Sequence, residues 1–75
     1  MSVITNVRIN YRDDCFQDIP LKEPLPEEHA ATIASMVLVM RNGEKHTPES
    51  VEFADASGNT VRSFKKVVRA RMEEI

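Results

Sequence analysis

Apolar and polar residues alternate over the first twelve positions. Val3, Thr5, Val7, Ile9 and Tyr11 fall on one side, and Ile4, Asn6, Arg8, Asn10 and Arg12 on the other. A period of two, rich in β-branched residues, predicts a half-buried strand over residues 3–11. A different period begins at Pro26. Ala30, Ile33, Ala34, Val37 and Leu38 stand at i, i+3, i+4, i+7 and i+8, the stripe of an amphipathic helix. Pro26 suits a first helical position, and Glu27 and Glu28 favour the positive end of the helix dipole. Arg41-Asn42-Gly43 supplies a stop signal. Met36, Val39 and Met40 widen the apolar surface beyond one stripe, so this helix is sandwiched or meets a second copy of the chain. The competing reading makes 36–41 a strand turning at Asn42-Gly43. Ala-rich composition and the methionines favour the helix. A second helical stripe, Phe64, Val67, Val68, Met72 and Ile75, predicts a C-terminal amphipathic helix with Lys65, Lys66, Arg69 and Glu73 on its wet side.

Between these signals the pattern weakens. Asp13 to Leu25 has no period, and Pro20 and Pro24 deny it a helix. It reads as a packed crossover pinned by Ile19, Leu21 and Leu25, with a binding segment as the less favoured alternative.

Residues 51–67 fork. As a hairpin, Val51, Phe53 and Asp55 alternate with Glu52 and Ala54. The run Asp55-Ala56-Ser57-Gly58-Asn59 then turns the chain, and Thr60, Val61 and Arg62 restart a strand. Alternatively, Ala54 stands four residues before Gly58, with Phe64 and Val67 six and nine places after it and Thr60 and Ser63 between. That spacing resembles the helix–turn–helix units of phage-type repressors. The resemblance covers about twenty residues and implies a first helix opening at Thr47-Pro48-Glu49, with a recognition helix after the glycine. Ser57 and Asn59 depart from it, standing where such units bury apolar side chains. The hairpin is the preferred reading, and the expected fold is α+β of order βαββα, with a three-stranded, mostly antiparallel sheet packed against two helices.

Composition narrows the function classes. Seventy-five residues predict a single domain spanning 1–75, whose small core is often completed by a second subunit. The lone Cys15 cannot form an internal disulfide, the N-terminus has no apolar signal-peptide core, and the apolar run 36–40 is too short to cross a bilayer. The expectation is a cytoplasmic protein with no membrane partner. Net charge is −2, divided as −5 over residues 1–58 and +3 over 59–75. An acidic body argues against a general nucleic-acid binder.

Catalytic and metal-binding patterns are not seen. Cys15, His29 and His46 stand at no ligand spacing, the adjacent Asp13 and Asp14 diverge on an extended chain, and two glycines make no phosphate loop. No metal, cofactor or enzymatic activity is expected. The candidate contact residues are a basic set, Arg62, Lys65, Lys66, Arg69 and Arg71, for a partner or nucleic acid, and an acidic set, Asp13, Asp14 and Asp18. The leading expectation is a small interaction or regulatory protein that binds another protein and forms a homodimer. Its build resembles accessory proteins of bacteria and phages in general. The alternative is a DNA-binding transcriptional regulator with a helix–turn–helix over residues 49–70.

Overall fold

A computed structural model describes residues 3–39, 47–68 and 71–75. Its elements, in chain order, are strand β1 (Val3–Tyr11), strand β2 (Phe16–Pro26), a single 3-10 turn (Glu27–His29), helix α1 (Ala30–Leu38), and strands β3 (Pro48–Ala54), β4 (Thr60–Val68) and β5 (Arg71–Glu74). The five strands form one sheet of order β2-β1-β3-β4-β5, antiparallel throughout. The expected βαββα fold, with three strands and two helices, is therefore wrong on both counts. The crossover over residues 13–25 is instead largely β2, and the C-terminal helix is replaced by β4 and β5. The fork resolves as the hairpin. Residues 48–54 are extended and residues 50–54 pair with residues 60–65, which overturns the helix–turn–helix reading of 49–70. Pro48 is a buried first residue of β3, a strand position where the missing N–H is tolerated.

The strand expected over 3–11 forms with those bounds. Its alternation breaks once. The register with β2 jumps from Ile4 opposite Leu25 to Asn6 opposite Pro20. This irregularity resets the pleat, so Ile4, expected on the polar side, is fully buried while Val3 is exposed. Both described hairpin turns close in one way. The first residue's N–H bonds the carbonyl four residues on, and its own carbonyl accepts from the N–H three residues on. In the first turn these are Tyr11 N–H to Cys15 O (2.8 Å) and Asp14 N–H to Tyr11 O (3.3 Å). In the second they are Asp55 N–H to Asn59 O (2.9 Å) and Gly58 N–H to Asp55 O (3.0 Å). The fourth residue is left-handed in each, Asp14 at φ 64° and Gly58 at φ 87°. Asp55 Oδ1 also accepts from the N–H groups of Ser57 and Asn59, at 2.9 and 3.0 Å.

The helix opens later than the sequence places it: Pro26 closes β2 opposite Val3, Glu27–His29 form the 3-10 turn, and α1 runs only from Ala30 to Leu38, short of the expected stop at 41–43, which lies outside the described residues. It crosses β3 and β4 on one face of the sheet. Ala30, Ala34 and Leu38 are fully buried against Ile4, Val7, Ile9, Val51, Phe53 and Phe64. Two alanines at the contact bring the helix close to the sheet. Phe53 and Phe64 meet edge to face, with centroids 6.0 Å apart. The opposite face of the sheet is polar and open. There Arg8 faces Asp18 on one side and Glu52 on the other, and Asn10 Nδ2 donates to Ser50 Oγ (3.0 Å) and Glu52 Oε2 (2.9 Å).

Candidate functional site

Strand geometry scatters the basic set that a helix would have gathered. Successive residues of β4 point to opposite sides of the sheet. Arg62 and Lys66 lie on the helix-covered side with Phe64, and Lys65 lies on the open side opposite Glu73. Arg71 is exposed on β5, on the same side as Glu73, and Arg69 lies outside the described residues.

Arg62 serves the fold. Its Nε and Nη2 donate to the two carboxylate oxygens of Glu74, both at 2.7 Å, which fastens β5 to β4. Its Nη1 reaches the Glu27 carbonyl at 3.2 Å, tying the start of the helical segment to the sheet. Its guanidinium also stacks over Phe64, 4.9 Å from the ring centroid. These hydrogen bonds hold the Glu74 carboxyl below its ordinary pKa. Lys66 is half buried opposite Met72, and it too makes an interaction of its own.

The acidic set does not assemble into a free patch either. Asp18 is held by Arg8 through two hydrogen bonds, Nε at 2.7 Å and Nη2 at 3.1 Å, which lower its pKa. Arg8 also lies over Phe16, 4.6 Å from the ring centroid. Asp13 and Asp14 occupy the β1–β2 turn beside the exposed Cys15. The negative charge of Asp13 raises the thiol pKa, the opposite of nucleophile activation. His29 is exposed just before α1, and His46 lies outside the described residues. Among the described residues, no three His, Cys, Asp or Glu side chains stand together as a metal would require.

What remains is a surface that the sequence marks only by its breadth, the outward side of α1. Its nine residues, AATIASMVL, include no charged side chain. With Ala30, Ala34 and Leu38 turned inward, helical geometry turns Thr32, Ser35, Met36 and Val39 outward, with Ile33 at their flank. Met36 is 52% exposed, and Ile33 and Val39 are half buried. Exposed helix surface ordinarily carries charge, so an outward face of methionine, branched aliphatics and small hydroxyls is the chemical anomaly of this molecule.

Comparison with protein-family models, with curated proteins and with solved structures gives no match. Among the described residues, no helix is long and apolar enough to cross a membrane.

Proposed function

We propose that this protein is a non-enzymatic interaction module that acts by binding another protein through the outward face of α1. The observation that supports this reading most directly is the absence of charge from the whole helix, with Met36 half exposed in its last turn. Methionine adapts to irregular apolar partners, and the neighbouring Thr32 and Ser35 cost little to desolvate when they find hydrogen-bond acceptors. Covering the exposed half of Met36 alone would contribute about 1 kcal/mol to association. The scattered basic and acidic sets favour this surface by elimination, since Arg62 and Asp18 are already engaged within the fold. Self-association, which the sequence reading attaches to this same apolar helix, is taken up below as a proposal on a different surface.

The test compares tagged wild-type protein with Met36→Lys, which adds charge at an exposed position and leaves the core untouched. A partner retained by the wild type and lost from the variant, with the thermal midpoint unchanged, supports the reading. Equal retention by both proteins overturns it.

A further inference from the structure

We propose that the free edge of β5 joins two copies of this chain into one continuous antiparallel sheet of ten strands, five from each. The sheet has two edges, β2 and β5, and they are unlike. The β2 edge carries Pro20, Pro24 and Pro26 along an irregular register with its neighbour, features that block strand addition. The β5 edge contains no proline over Arg71–Glu74, and it is aligned by the Arg62–Glu74 ion pair.

The hydrogen bonds of β5 specify which groups face outward. Ile75 N–H donates to Ser63 O at 2.8 Å. With Glu74 opposite Phe64 and Glu73 opposite Lys65, this makes Glu74 and Phe64 a non-hydrogen-bonded pair. The backbone N–H and C=O groups of Glu74, and by alternation those of Met72, therefore point away from β4 to the open edge. An antiparallel partner must be paired through Met72 and Glu74.

A second copy fits this edge in one register on grounds of charge. With the two-fold axis at Met72, the two Met72 residues exchange a pair of backbone hydrogen bonds, and their side chains meet on the helix-covered side. Arg71 of each copy then stands opposite Glu73 of the other, a pair separated by about 4.5–5.5 Å between Cβ atoms. The two-fold makes this ion pair twice. Arg71 and Glu73 have no ion-pair partner among the described residues, so each is available to a second chain. The neighbouring register, centred on Glu73, would set the two Glu73 carboxylates against each other and is disfavoured. In the preferred register Lys65, Glu73 and the second copy's Arg71 form a row of alternating charge across three strands. Self-complementarity about a two-fold is the signature of a closed dimer.

The charges also supply the test. Arg71→Glu places carboxylates opposite Glu73, and Glu73→Lys places ammonium groups opposite Arg71, so each variant alone repels itself. Mixed together, the two variants make two attractive pairs in the heterodimer, the native Arg71 with Glu73 and one pair of reversed sign between the two substituted positions. Native mass spectrometry and sedimentation, from low micromolar to submillimolar concentration, should show a wild-type dimer. Each variant alone should dimerise about tenfold or more weakly, and their mixture should recover a heterodimer. Met72→Pro removes an N–H that faces only the open edge, and should give a folded monomer by circular dichroism. A wild type that is monomeric throughout overturns the proposal, as does a mixture that fails to recover the dimer. A dimer lost in Met36→Lys but kept in the β5 variants would place self-association on α1 and also overturn it. Partner capture through α1 is read separately and can fail without affecting this result.

Discussion

Replacing Phe53 tests the hairpin register and the core together. Phe53 is fully buried, and its ring lies edge to face with Phe64 at 84° between planes. At about 0.05–0.15 kcal/mol per residue, a chain of this size has roughly 4–11 kcal/mol of stability. Phe53→Ala would remove about 3–5 kcal/mol, enough to unfold a chain near the low end. Leucine is the better probe. Phe53→Leu and Phe64→Leu should each cost about 1–2 kcal/mol, from lost volume and lost ring contact. Phe64→Leu also loses the stacked Arg62. A double-mutant cycle subtracts that effect and isolates the ring pair. The double variant should be less destabilised than the sum of the singles by about 0.5–1.5 kcal/mol. Urea unfolding is the assay. At a slope of about 1 kcal/mol per molar, each single change moves the midpoint by about 1–2 M. Phe16→Leu, on the open face and 59% exposed, loses a stacked arginine (Arg8) without touching the core, so it is the control for that contact and should cost no more than about 1 kcal/mol. Additivity of the two core changes to within about 0.3 kcal/mol would refute the ring contact, and with it the pairing that sets Val51 opposite Phe64.

Three further outcomes are expected. Gly58→Ala should destabilise by about 1 kcal/mol in the same urea assay, because φ of 87° penalises a Cβ even where no atom crowds it; an unchanged midpoint would deny the left-handed turn. The Asp18 and Glu74 carboxyls are lowered in the fold, so the unfolded chain binds protons first. Their stabilisation is complete above the ordinary values of 3.8 and 4.5, and it is lost as pH falls below them through the lowered folded values. Glu74→Gln should therefore flatten the acid limb of a stability–pH curve, and identical curves for variant and wild type would contradict the ion-pair geometry. Cys15 should alkylate more slowly than a free cysteine at mildly alkaline pH and speed up in Asp13→Asn, since the Asp13 charge opposes the thiolate; equal rates would show that Asp13 does not act on it.

Local chemistry was legible where one signal dominated. The alternation through Val7, Ile9 and Tyr11 and the Asp55–Asn59 turn appear as read, whereas Pro26 ends β2 and Glu27 and Glu28 enter a 3-10 turn before α1 opens at Ala30. Two errors have physical causes. Prolines argue against a central strand, but β2 is an edge strand, where a missing N–H is tolerated; Ile19, Leu21 and Leu25 do pack against the core as expected. The C-terminal stripe of Phe64, Val67, Val68, Met72 and Ile75 mimics a helical face, yet Val67 and Ile75 are 45% and 73% exposed. The inward row of β4 is Arg62, Phe64 and Lys66. Long cations near a sheet edge lay their stems over apolar neighbours, which erases the period-two signal from composition. The same fact undid the basic set. Its residues were identified, but their side of the chain depends on whether the period is 3.6 or 2. The uncharged outward face of α1 was visible as excess apolar breadth, although only the sheet shows which half is left over.

The strand order has a consequence for how the chain reaches this structure. Three of the four strand pairings, β1 with β2, β3 with β4 and β4 with β5, join strands adjacent in sequence. Only β1 with β3 is distant, and it lies in the middle of the sheet. Folding therefore divides into two local pieces, an N-terminal hairpin and a C-terminal meander, each able to form on the microsecond scale of hairpins. The slow event is one loop closure that sets Val7 against Phe53 and Ile9 against Val51, with α1 carried in the loop and laid across β3 and β4 as it closes. That central seam holds the long-range order of the chain, and the moment of its formation is when the hydrophobic core first becomes continuous.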